Sequence, residues 1–173
     1  MQPTHRSRRI LRPVRIWFVY LSLCVALLLS YVPTGQVPGV PDWVALLLAF
    51  WCVRERQHVG MGAGFIFGVL VDIGYGAAMG QHALAYVLLA YAANAVSRRV
   101  LWFTPLQQSI QILPLLLGAQ LVMVVVRMLA GAEFPGWGYF LSSVTGTLLW
   151  LPLHFVLLLP QYQPEERDNN RPI

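Results

Sequence analysis

The amino-acid sequence predicts an all-α integral membrane protein of six transmembrane helices with both termini in the cytoplasm. Three observations lead there. Of 173 residues, 57% are hydrophobic and only 11% charged, with a mean hydropathy of +0.60. Soluble domains carry about 25% charged residues, and so few charges cannot cover a soluble globule or sustain disorder. Second, apolar runs near the roughly 17–25 residues needed to cross a bilayer recur between short polar turns. Third, the twelve basic residues are all arginine, and eleven of them flank the runs on one and the same side, as the positive-inside rule requires.

The first helix is expected over 16–32, ending at the turn Pro33-Thr34-Gly35. The second follows Pro41-Asp42 and reaches Val53, which is short for a span. The third runs over 59–80 and the fourth over 82–97. The fifth covers 105–130, with Pro114 as an expected kink. The sixth covers 139–159 and stops at Pro160. This divides the chain into a basic cytoplasmic tail (1–15), a membrane domain (16–160) and a polar cytoplasmic tail (161–173).

Charge assigns the sides. Arg6, Arg8, Arg9, Arg12 and Arg15 precede the first helix; Arg54 with Arg56, Arg98 with Arg99, and Arg167 with Arg171 fall on turns of the same side. Only Arg127 lies toward the opposite face. Basic residues distributed in this way follow membrane topology rather than a nucleic-acid footprint. An arginine-rich start before an apolar run, with Ser7-Arg8-Arg9, also suggests a signal peptide or twin-arginine signal. No A-x-A-like cleavage site follows Val32 and five further spans do, so the first segment is expected to be retained. Trp17, Trp43, Trp102 and Trp137 sit near helix ends as interface anchors. Cys24 and Cys52 lie inside apolar runs and offer no disulfide framework.

The third helix is the informative one. Counted in fours it reads Gly60, Gly64, Gly68, Asp72, Gly76, Gly80. Residues four apart form one ridge of a helix, and a glycine ridge admits a neighbouring backbone. That neighbour is either another helix of this chain or a partner's helix or ligand. Ser22, Ala26 and Ser30 form a second small-residue stripe, a docking face for another helix. Asp72 is costly inside a bilayer, roughly 2.5–3.5 kcal/mol on insertion scales. It lies fourteen residues beyond His58, about 21 Å along a helix, in the outer half of the membrane. An outer-half polar cluster of Asp42, Asp72, His82 and Arg127 is expected, in which Arg127 or the His82 side pairs with Asp72. The alternative is that Asp72 satisfies a broken helix end around Gly74-Tyr75-Gly76. Asp42 opens the second helix, where the positive dipole end favours an anion.

Gln107 and Gln111 are expected to bond between helices, and His154 to satisfy a local carbonyl. No H-E-x-x-H, G-x-S-x-G or Cys/His cluster is present, so no metal, cofactor or catalytic residue is expected.

The stretches Pro41-Asp42-Trp43-Val44, Ala49-Phe50-Trp51, Val59-Gly60-Met61-Gly62-Ala63-Gly64-Phe65, Gly68-Val69-Leu70-Val71-Asp72 and Gly80 resemble the rod shape-determining MreD family. Ser142-Ser143-Val144 and Leu149-Trp150 extend the likeness weakly, and Arg54-Glu55-Arg56 departs from it. The resemblance implies a non-enzymatic component of the bacterial elongasome in the inner membrane. Its implied partners are MreC, the glycosyltransferase RodA with its transpeptidase, and MreB indirectly; the lipid bilayer surrounds it and no nucleic acid is involved. The family's topology is similar to that of substrate-binding subunits of energy-coupling-factor transporters, so a vitamin-type transporter subunit is the alternative.

Overall fold

A computed structural model describes residues 15–32, 39–77 and 79–159. The basic tail before Arg15, the Pro33-Thr34-Gly35 turn, Pro160 and the 161–173 tail lie outside the described residues. Six α-helices and one short 3-10 helix make up the described chain, with no strand among these residues: α1 Ile16–Ser30, α2 Trp43–Arg54, α3 Met61–Tyr75, α4 Gln81–Val100, α5 Pro105–Leu129, and α6 Leu141–Leu158 preceded by the 3-10 turn Trp137–Phe140.

Short connections make successive helices antiparallel. Tyr20 at the start of α1 donates to the His58 carbonyl at 3.0 Å, and Tyr75 at the end of α3 donates to the Ser30 carbonyl at 2.5 Å. Thr145 in the first turns of α6 donates to the Gly39 carbonyl at 2.7 Å. These ties sort the helix ends into two sets. One end holds Arg15, Arg54, Arg56, Arg98 and Arg99; the other gathers Asp42, Tyr75, His82, Arg127 and Tyr139.

α2 is the axis of the bundle. Ten of its twelve residues are buried, and it packs against α1, α4, α5 and α6. A helix that is apolar all round belongs in a core, and this one is only about 18 Å long. Phe50, Trp51 and Trp150 fill the space around it, with the Trp51 indole N–H donating to Ser22 Oγ at 2.8 Å. α4 packs in turn against α2, α3 and α5.

The outside of the bundle is apolar: Leu28, Ile66, Ile73, Ile110, Leu148 and Phe155 are all exposed. The polar groups are inside, among them Ser22, Asp72, Gln120, Ser143 and His154. Among the described residues two segments, Pro105–Leu129 and Trp137–Leu158, are long and apolar enough to cross a membrane. α1, α2 and α3 are apolar but 15, 12 and 15 residues long, short of the expected spanning lengths. α4 has the length, yet Gln81, His82, Asn94, Arg98 and Arg99 lower its hydropathy.

The third helix ends earlier than the spacing predicts, at Tyr75 rather than Gly80. Gly76 adopts φ +58°, its N–H bonds to the Ile73 carbonyl, and the Ala77 N–H bonds back to the Asp72 carbonyl at 3.1 Å. That pair of bonds is a Schellman stop, which needs a left-handed residue best supplied by glycine. Gly80, at φ +96°, then turns the chain into α4.

Candidate functional site

The site is built where α3 meets α4. A Cβ added at Gly64 would lie 2.7 Å from the Tyr86 carbonyl oxygen, and one at Gly68 would lie 2.6 Å from the Ala83 nitrogen. The two backbones are therefore in direct contact, with Gly60 near Asn94, Gly64 at Tyr86 and Gly68 at Ala83. One further turn along this antiparallel register brings Asp72 onto the start of α4.

There the Asp72 carboxylate collects four donors. Oδ1 accepts from the His82 backbone N–H at 2.9 Å and from His82 Nδ1 at 2.7 Å. Oδ2 accepts from the Gly80 N–H at 2.9 Å and the Ala83 N–H at 3.3 Å. A carboxylate has about four acceptor positions, so this one is filled. Satisfaction of that kind, with the positive end of the α4 dipole, explains an aspartate only 2% exposed. Gly80 has no side chain with which to cap its own helix. Asp72 supplies the cap from the neighbouring helix, bonding the N–H groups that an N-cap residue would satisfy.

Two cavities open beside this junction. The larger, about 530 Å³, is lined by Asp42, Tyr75, His82, Tyr86, Tyr139 and Ser142, among others. The second, about 500 Å³, shares Tyr75, His82 and Tyr139 with it and adds Gln81 and Arg127. Asp42 is the N-cap of α2, accepting from Ala45 N–H at 3.0 Å, and both its oxygens lie 2.8 Å from the Tyr86 hydroxyl that donates to them. On the far wall, Gln120 of α5 straps α6. Its amide nitrogen donates to Ser142 Oγ and the Tyr139 carbonyl, and its oxygen accepts from Ser143 at 2.5 Å.

The comparisons with known proteins bear on the same helices. The family model for the rod shape-determining protein MreD matches residues 7–159, which include all six helices. The chain belongs to the MreD family. It is also 30% identical over 149 residues to the rod shape-determining protein MreD of Haemophilus influenzae, across 82% of this chain and 89% of that protein. No solved structure matches.

Within this MreD-family fold, the structure selects among the places the spacing allowed. Of the two neighbours open to the glycine ridge, Gly64 and Gly68 meet the internal one, α4 of the same chain. Gly76 and Gly80 are turn residues with nothing near their missing side chains. Ser22 and Ala26 are likewise covered from within the chain, with Trp51 of α2 bonded to Ser22. Of the expected polar cluster, Asp72 and His82 are brought into contact, while Asp42 bonds to Tyr86. Arg127 makes no ion pair with Asp72. It stands exposed at the end of α5, facing the second cavity.

Gln107 closes a capping box with Thr104 instead of bridging helices. The glutamine that does bridge is Gln120. His154 does not satisfy a carbonyl through Nδ1, which has no partner, and the buried Trp150 indole N–H also lacks one. α5 continues through Pro114. Trp17, Trp102 and Trp137 are exposed near helix ends, whereas Trp43 is half-buried. Cys52 is buried and Cys24 exposed. Sequence reasoning missed Tyr86, Tyr139 and Gln120, which sit in helix patterns indistinguishable from ordinary packing positions.

Proposed function

We propose that this protein is a non-enzymatic scaffold of the bacterial rod complex, embedded in the inner membrane by six helices with both termini in the cytoplasm. In this reading it contacts MreC directly, and through that assembly couples MreB filaments to RodA and its transpeptidase. Membership of a rod shape-determining family along the whole helical domain carries the proposal. An apolar exterior, arginines gathered at one end and brief connections between helices support it. A chain with so little mass outside its helices meets partners chiefly through helix faces. Gly64 and Gly68 of α3 are engaged by α4, so in this reading the MreC contact falls on the outer apolar faces instead.

Mild-detergent purification of the tagged full chain, with protein and small-molecule mass spectrometry, tests this. Recovery of MreC and RodA is expected; their absence under conditions that retain other membrane complexes overturns the scaffold. Reporter fusions at the C-terminus and at Gly131 should read opposite sides, and a shared side overturns the topology. A second reading, a substrate-binding subunit of a vitamin-type transporter, is favoured by the large cavity beside Asp42. It requires transporter ATPase subunits and a stoichiometric small molecule in the same eluate.

A further inference from the structure

The two cavities have opposite electrostatic characters. Among the described residues the ion pairs are Glu55–His58 and Asp72–His82, so neither Asp42 nor Arg127 has an oppositely charged side chain at ion-pair distance. Asp42 is half-buried and lines the larger cavity, and its three contacts leave one of about four acceptor positions unfilled. Tyr75 and Tyr139 line the same chamber, with the buried Tyr86 behind Asp42. A carboxylate among aromatic rings attracts an ammonium group, which gains a charge-assisted hydrogen bond and the ring faces together. The adjoining chamber offers the Arg127 guanidinium, whose planar donor fork matches phosphate.

Only Tyr75, His82 and Tyr139 stand common to the two chambers. A small molecule bearing both an ammonium and a phosphate has a partner of opposite charge in each chamber, Asp42 in one and Arg127 in the other. The larger cavity is also bordered by Leu29, Val32 and Val40, of which Leu29 and Val32 are exposed. That border gives apolar chains an exit toward the bundle's outside. Each cavity falls within the roughly 300–1,000 Å³ usual for ligand sites. The location at helix ends is the level at which headgroups lie.

The geometry points to a binding site for the zwitterionic headgroup of an aminophospholipid, with its ammonium at Asp42 and its phosphate toward Arg127. This site rests on the membrane placement proposed above and not on any partner contact. Topology reporters and MreC recovery test that placement and those partners separately, so either can fail alone.

The test uses the purified full chain in detergent and short-chain phosphatidylethanolamine as probe, with binding read by native mass spectrometry and thermal stabilisation. Phosphatidylglycerol, which lacks the ammonium, serves as comparison. Preferential binding of phosphatidylethanolamine is expected, weakened at least about tenfold by Asp42→Asn, which removes the charge but keeps an N-cap residue. Arg127→Gln, at an exposed position, should weaken it similarly without altering the unfolding of the lipid-free protein. Equal binding of the two lipids, or unchanged affinity in both variants, overturns the site. Displacement of the probe by glycerophosphoethanolamine at comparable concentration assigns the same chemistry to a soluble zwitterion and overturns the lipid source.

Discussion

His82 is held by Asp72 twice, through its backbone N–H and through its ring. A carboxylate oxygen only accepts, so the ring nitrogen at 2.7 Å, Nδ1, carries the proton. The pairing fixes where α4 begins, and through His82 it fixes one wall shared by both cavities. A buried polar residue is thus a structural clasp between consecutive helices and a support for the candidate site.

Replacing Asp72 should be costly in a specific way. Asparagine keeps the shape but presents an NH₂ group toward N–H donors that both carboxylate oxygens now accept. Asp72→Asn is expected to destabilise by about 2–4 kcal/mol, because buried N–H donors are left without an acceptor. His82→Gln removes one donor of the four and should cost about 1–2 kcal/mol. Unfolding of the purified variants in a mixed-micelle titration checks the ranking. Equal losses would mean that capping of α4 is not the main role.

The glycines of α3 divide by what faces them. A methyl at Gly68 meets Ala83 backbone, which cannot yield without parting the helices, so Gly68→Ala should cost roughly 1–3 kcal/mol. Gly62 has nothing within 4 Å of its missing Cβ. There alanine gains helix propensity and should be neutral or stabilising, by up to about 1 kcal/mol. Thermal unfolding of the two variants side by side is the measurement.

Charge exchange between Asp72 and Arg127 should not restore folding. Combining Asp72→Arg with Arg127→Asp leaves a guanidinium against three backbone N–H groups and His82, with the new carboxylate at an exposed helix end. Arg127→Gln alone is expected to stay within about 0.5 kcal/mol of the parent. Yield of folded protein from membranes, by size-exclusion profile, separates these outcomes.

Gln120 should prove to be the main polar link between α5 and α6. Gln120→Leu removes its bonds to Tyr139, Ser142 and Ser143, and leaves the buried Ser143 hydroxyl without its acceptor. A loss of about 1 kcal/mol is expected, in the range of polar contacts between membrane helices. In a double-mutant cycle, Ser143→Ala should cost less in the Gln120→Leu background than in the parent.

Composition and apolar runs were enough to mark six helices, because hydrophobic length and turn residues are local signals. The residues from Pro41 to Asp72 likewise carried the family resemblance as they stand. What that pattern could not show was the occupant of the glycine ridge, since a neighbour from the same chain and one from a partner require the same small residues. The sequence offered both Arg127 and the His82 side as partners of Asp72, and did not show that the carboxylate also caps α4. Its cap lies on the preceding helix, eight residues before Gly80, where no local capping pattern points to it.

The sequence by itself determined the helical class, the apolar exterior and the family, all properties summed along the chain. The tertiary structure decided which polar residues meet. Backbone contact at Gly64 and Gly68 sets the register of α3 on α4, and that register hands Asp72 to His82 rather than to Arg127. Asp42 and Arg127 are then left facing open space at one end of the bundle. Which charges are neutralised and which remain available follows from distances across helices, and a linear pattern does not carry those.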